Sequence, residues 1–276
     1  MAHGVPYRLI DFGDGRKWEA LGDYVLDRPS PAAQRAKPIQ HVRPAVDARF
    51  DSVEKTWQFT TPWPRGLMID CAGFLMPVSP TPFGHIGLFP EQFDNWAWLR
   101  RQLPSAQPQQ ALNLFAYTGA SSIAMAVGGA QVVHVDAAKP NVQAAKRAAE
   151  LSGTDTTIRF LVDDASKFVV RELRRGNRYQ TIVLDPPAYG HGPRGKAWRL
   201  ERDLYPLLSN CLQLLSPPPC RLLVTGHSES VNQQEVAAWL QGQAGRGIQL
   251  QHKPMRLQSS QQRWLDCGFL VRATWR

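Results

Sequence analysis

Ala111-Leu112-Asn113-Leu114-Phe115-Ala116-Tyr117-Thr118-Gly119-Ala120-Ser121-Ser122 is an apolar run that ends in a polar, glycine-bearing turn and passes into small residues. That order reads as a buried strand feeding a helix, and it recurs down the rest of the chain. Further strands are expected at Gln131 to Asp136, Thr157 to Val162, Gln180 to Asp185, Cys220 to Thr225, Ile248 to Gln251 and Phe269 to Trp275. Helices are expected at Ser121 to Val127, Pro140 to Leu151, Ala165 to Arg174, Leu200 to Leu215 and Asn232 to Gln241. Pro140 suits a first helical turn, and Gly128 and Gly153 suit helix ends. Strands alternating with helices predict an α/β fold with a seven-stranded, mostly parallel Rossmann-like sheet.

Upstream the pattern changes. Tyr7 to Ile10, Trp18 to Leu21, Tyr24 to Leu26, Thr56 to Thr61 and Leu67 to Val78 look like strands joined by Gly-Asp turns. Asp27 to Pro44, with four prolines, reads as an extended surface linker, and Asn95 to Arg101 as a helix. The expected organisation is a small β-rich N-terminal domain over 1–103, with the linker and connecting helix, and a larger domain over 104–276.

Composition narrows the function classes. Hydrophobic residues make up 43% and charged residues 20%, as in an ordinary folded protein. No apolar run reaches the roughly 18 to 20 residues of a membrane span, and the start lacks a basic-then-apolar signal, so a cytoplasmic protein without membrane attachment is expected. Cys71, Cys211, Cys220 and Cys267 are too scattered for a metal site and are expected to be reduced and mostly buried, and the histidines show no ligand spacing. No metal is expected. A net charge of +9 favours a polyanionic partner, since Lys and Arg that neutralise phosphates release counterions.

The residues at strand ends carry the chemistry. In a doubly wound sheet ligands bind at the carboxyl ends of the strands where their order reverses, which puts the Tyr117-Thr118-Gly119 turn at the ligand. The absence of a second and third glycine argues against a dinucleotide. Asp136, ending the second strand, is placed to accept the ribose hydroxyls of an adenosine ligand, and Asp164 follows the third strand. The fourth strand runs into Asp185-Pro186-Pro187-Ala188-Tyr189-Gly190. Two prolines remove two N–H donors and leave carbonyl oxygens beside a carboxylate, a site that only accepts hydrogen bonds and therefore suits an amino group. Tyr189 is placed to stack on a flipped base.

Asn113 to Ser228 resembles the class I S-adenosylmethionine-dependent methyltransferases, and within them the bacterial large-subunit rRNA methyltransferases that modify cytosine or guanine. The resemblance is carried by the Asn-Leu-Phe-x-Tyr-Thr-Gly turn at Asn113 to Gly119, by Asp136 and Asp164, by Asp185-Pro186-Pro187 with Tyr189, and by Gly84 to Gln92 ahead of the sheet. It implies S-adenosylmethionine as cofactor, with Phe89, Asn113, Phe115, Tyr117, Thr118, Gly119, Asp136, Asp164 and Asp185 at the cofactor, and Asp185, Pro186 and Tyr189 at the acceptor. It also implies RNA, most plausibly ribosomal, as partner. Members that methylate cytosine carbon carry a cysteine after the fifth strand or after the Pro-Pro; here Gly226-His227-Ser228 and Ala188 stand there, so transfer to a base amino nitrogen is expected. A small-molecule or protein methyltransferase, or a noncatalytic RNA-binding protein of the same fold, are the alternatives. The loop Gly190 to Arg199 is expected to be a lid in which Arg194, Lys196 and Arg199 meet phosphates. Arg171, Arg174, Arg175 and Arg178 form a second basic cluster that reads as a solvated helix face, with a binding patch as the alternative.

Overall fold

The expected parallel strands are all present in the computed structural model, which describes residues 4–39, 44–101, 103, 105–190, 197–228, 230–243 and 247–276. The chain divides into two compact units, Met1–Phe93 with Met255–Cys267, and Asp94–Pro254 with Gly268–Arg276. The first contains β1 (Tyr7–Gly13), β2 (Arg16–Leu21), β3 (Tyr24–Pro29), β4 (Ala48–Asp51) and β5 (Thr56–Phe59) in one five-stranded sheet, and the pair β6 (Met68–Asp70) and β7 (Leu75–Pro77). α1 (Phe93–Arg100) leads into the second unit.

The second unit is built on β8 (Gln110–Leu114), α2 (Ala120–Val127), β9 (Gln131–Asp136), α3 (Lys139–Leu151), β10 (Ile158–Val162), α4 (Ala165–Arg174) and β11 (Thr181–Leu184). A small pair, β12 (Tyr189–Gly190) and β13 (Trp198–Arg199), precedes α5 (Leu200–Leu214), β14 (Cys220–Gly226) and α6 (Gln233–Gln243). Two long strands, β15 (Ile248–Gln258) and β16 (Trp264–Trp275), complete a seven-stranded sheet of order β10-β9-β8-β11-β14-β16-β15. Neighbours from β10 to β14 are parallel, and β16 runs antiparallel to β14.

Burial explains the sequence pattern. Leu112, Leu114, Val135, Ile182, Leu184, Leu222 and Val224 are inaccessible, with helices covering the sheet through Phe168, Val169, Leu204, Leu208 and Leu240. Near-continuous apolar runs are what a sheet covered on both faces requires. α1 is fixed by two buried arginines, with the Arg221 and Arg272 guanidinium carbons 4.9 and 5.3 Å from the Trp98 ring. Arg221 donates to the carbonyls of Trp98, Leu99 and Arg101 and so closes the helix C-terminus. Its burial, with Arg101 nearby, lowers its pKa to about 10.

Three local readings change in the first unit. β3 runs on to Pro29, and Ala33 is fully buried against Leu9 and Phe12, so the proline-rich stretch is partly core rather than a surface linker. Leu67 to Val78 holds two short strands, and β4 lies where no strand was expected. β15 and β16 also run past their expected ends, because Leu257 and Leu265 join the Leu9 and Phe12 cluster. The unit buries several carboxylates, Asp11 and Glu19 completely. Burial raises the Glu19 pKa, but Arg28 and Lys17 overcome that and bring it to about 2. Among the described residues no helix is long and apolar enough to cross a membrane.

Candidate active site

Strand order reverses between β8 and β11, so the turns that follow them flank the crevice where such sheets bind ligands. Leu184 is level with both Leu114 and Val224, and Leu114 with Val135. The next residues, Asp136, Phe115, Asp185 and Thr225, therefore form one row along the carboxyl edge of the sheet.

The first turn is conformationally unusual. Phe115, Tyr117 and Gly119 have φ of 54, 49 and 92°, all in the left-handed region. For a residue other than glycine each such position costs on the order of 1–3 kcal/mol and persists only where its surroundings fix it. Here the backbone N–H of Ala116 donates to Val135 O at 3.1 Å and that of Gly119 to Ala116 O at 3.0 Å. Asp136 supplies the third restraint, accepting the Tyr117 N–H at Oδ2 over 2.8 Å. Gly119 is needed for packing as well as for its φ, since a Cβ there would lie 2.9 Å from that of Ala145 in α3. Beneath the turn a buried relay runs from Asn113 Nδ2, donating to Ser122 Oγ at 2.9 Å, to His134 Nδ1 at 3.0 Å from Ser122 Oγ. Burial pushes His134 down to about 3, so it stays neutral and the relay is a fixed support. The Asn113 side chain faces this relay.

Asp136 holds its orientation through two further donors, the Ala138 N–H at 2.9 Å and Asn141 Nδ2 at 3.1 Å, both at Oδ1. Asp164 is the N-cap of α4 and accepts the Lys167 N–H at 2.9 Å, while its neighbour Asp163 pairs with Arg171. Phe89 belongs to the first unit, where its ring centroid is 5.5 Å from that of His85.

The Asp185 turn holds the groups that sequence alone did not assign. Thr225 Oγ1 donates to Asp185 Oδ1 at 2.6 Å from the end of β14, and His227 Nε2 is 3.5 Å from the same oxygen. Parallel register is the signal that finds them, because the tip of a neighbouring strand must face Asp185. Trp198 Nε1 donates to Pro187 O at 2.8 Å, and its ring lies 4.8 Å from Phe115. Trp198 thus ties the Pro-Pro turn to the first turn. Tyr189 is 74% exposed, open to a stacking partner. Arg199 lies in β13, whereas Arg194 and Lys196 fall outside the described residues.

The row can accept hydrogen bonds at Asp136 and Asp185. Cysteine chemistry is poorly served in this unit: Cys211 is fully buried, and Cys220 starts β14, about 20 Å of strand from Gly226 at ~3.3 Å per residue. Burial raises the Cys220 thiol to about 11. Among the described residues no group of three or more His, Cys, Asp and Glu is placed to hold a metal ion.

Comparison with known proteins bears on the same region. A family model described as S-adenosylmethionine-dependent methyltransferase matches residues 84–228. Ribosomal RNA large subunit methyltransferase K/L of Shewanella frigidimarina is 31% identical over 115 residues, covering 41% of this chain and 16% of that protein. Ribosomal RNA large subunit methyltransferase I of Tolumonas auensis is 36% identical over 109 residues, 38% of this chain and 27% of that protein. The matches thus take in about a quarter or less of these curated relatives. The solved structure of a SAM-dependent methyltransferase from Agrobacterium tumefaciens aligns with a TM-score of 0.90 at 30% identity, covering 99% of this chain and 92% of that one.

Proposed function

The chain belongs to the S-adenosylmethionine-dependent methyltransferase family, and from that premise we propose that it transfers the methyl group to an amino nitrogen of a base in ribosomal RNA. The observation that carries this reading is the Asp185 carboxylate, held by Thr225 beside a turn whose two prolines donate nothing, level with Asp136 at the strand-order reversal.

The residues present fit the cofactor. An adenosine needs acceptors for its ribose hydroxyls, and Asp136 sits at the tip of β9 already oriented by three donors. Asp164, at the next tip, is assigned to the adenine end, and the left-handed turn from Phe115 to Gly119 to the methionine end. S-adenosylmethionine supplies an electrophilic methyl group when bound. The protein's contribution is to aim a nitrogen at it, and such positioning supplies a large part of the barrier reduction in group transfer.

Asp185 and the Pro186 carbonyl accept the two N–H bonds of the acceptor amine, which directs its lone pair away from them and toward the methyl group. The Asp185 carboxylate would take the proton that the acceptor nitrogen sheds when the methyl group leaves the sulfonium sulfur for it, and His227 Nε2, 3.5 Å from the same carboxylate, would be the next acceptor. Tyr189, exposed at the mouth, stacks on the extruded base. RNA is the proposed substrate because the relatives named above act on ribosomal RNA and because the chain carries a net charge of +9.

Incubating the full chain with tritiated S-adenosylmethionine and deproteinised rRNA from cells lacking it tests the substrate. Label is expected in a nuclease-sensitive fraction with wild type and not with Asp185→Ala. Label appearing only in protein or in small molecules would displace RNA as the substrate.

A further inference from the structure

We propose that a second site, at the amino-terminal edge of the seven-stranded sheet around Arg159 and Arg178, grips the phosphodiester backbone of the RNA and anchors it away from the reacting edge. The inference rests on the RNA reading above and adds to it a surface that the reaction does not require.

Charge is unevenly divided between the two units. The unit Met1–Phe93 with Met255–Cys267 has 12 Lys and Arg against 11 Asp and Glu, a net +1, while the unit bearing the large sheet has 20 against 12, a net +8. Nearly all the excess that attracts a polyanion therefore lies on the sheet-bearing unit. Within it the basic cluster near the end of α4 separates into two kinds. Arg171 and Arg175 are spent in pairs with Asp163 and Glu172. Arg174, Arg178 and the nearby Arg159 are exposed and form no ion pair among the described residues.

Arg159 and Arg178 line one cavity of about 590 Å³, together with Gln110, Gln131, Thr156 and Thr157. Gln110 opens β8 and Gln131 opens β9, so the cavity lies at the ends of the strands opposite Asp136 and Asp185. Its one acidic wall residue, Glu172, is fully buried and already accepts from Arg175 Nη1, Asn177 Nδ2 and Tyr179 OH at 2.9, 2.7 and 2.6 Å. The cavity offers cations, amides and hydroxyls beside the largely buried Val132, Val133 and Ile158. Arginine forks and side-chain amides are the usual partners of phosphate oxygens, and such contacts fix register without reading sequence.

Distance gives the site a purpose. The five residues of β8 span about 16 Å at ~3.3 Å each. An RNA touching both edges is therefore gripped about that far from its reacting base. That lever orients the target before it is extruded.

The test is fluorescence anisotropy of a labelled RNA hairpin with the full chain across a salt series, comparing wild type with the Arg159→Ala, Arg178→Ala double variant. Each lost phosphate contact lowers the slope of log affinity against log salt by about 1, so the double variant is expected to lose about 2. Its affinity for S-adenosylmethionine and its melting temperature should match wild type, since neither arginine touches the cofactor row. An unchanged slope in that folded, cofactor-binding variant overturns the anchor, while the reading of RNA as substrate stands or falls separately on label transfer. Wild type failing to bind the hairpin at low salt likewise overturns the anchor. If the double variant loses affinity for polyglutamate but not for RNA, the cavity instead recognises an acidic protein segment, and the proposal fails.

Discussion

Asp185→Ala lowers the single-turnover rate of methyl transfer roughly 100-fold or more at saturating cofactor, while the dissociation constant for S-adenosylmethionine stays within a few-fold. In the proposed arrangement the carboxylate faces the nitrogen on which positive charge develops, and removing a preorganised electrostatic partner of that kind costs on the order of 3 kcal/mol of barrier, about two decades of rate. Its orientation is already set by the 2.6 Å bond from Thr225 and by His227, so the enzyme has little reorganisation left to do during transfer. Asp185→Asn keeps the shape and loses the charge. It too should be slow, because an amide offers one oxygen in place of two and cannot take the proton. A rate unchanged in either variant would make the Asp-Pro-Pro turn a structural feature only.

Asp136→Ala shows the opposite split, weakening S-adenosylmethionine binding about 100-fold with the rate at saturation nearly preserved. Ribose hydroxyls do not change during transfer, so contacts to them stabilise ground and transition states alike. Two hydrogen bonds to a charged acceptor contribute about 1.5 kcal/mol each, which together make the expected factor. The structure adds a second loss, because Asp136 also restrains Tyr117, whose φ of 49° needs support. Calorimetry on the variant checks the outcome, and affinity equal to wild type would remove Asp136 from the cofactor site.

The sequence shows the sheet-bearing unit clearly because local pattern and tertiary environment agree there. β9 and α4 coincide with their expected limits, since Val132 to Val135 is buried and Asp164 caps α4 with its own side chain. The placing of Asp136 and Asp185 at strand tips is legible because the apolar runs before them mark where each strand ends. What fails is whatever depends on partners remote in sequence. β15 and β16 lengthen because their outer ends pack with Leu9 and Phe12, and the Ser260 hydroxyl reaches Leu9 O across 251 positions. Thr225 and His227 gain their roles only through the register of β11 with β14, and Trp198 only when its hairpin folds back on Phe115. Likewise the four arginines near the end of α4 look alike in sequence, and only the placement of Asp163 and Glu172 separates the paired from the unpaired.

The central claim, transfer to a base amino nitrogen in ribosomal RNA, is tested most directly by mass spectrometry of nucleosides from the rRNA of a strain lacking this protein. One nucleoside methylated on an exocyclic nitrogen is expected to be lost from that rRNA, restored by the wild-type gene and not by Asp185→Ala. Loss of a carbon-methylated or ribose-methylated nucleoside, or an unchanged nucleoside profile, would contradict it.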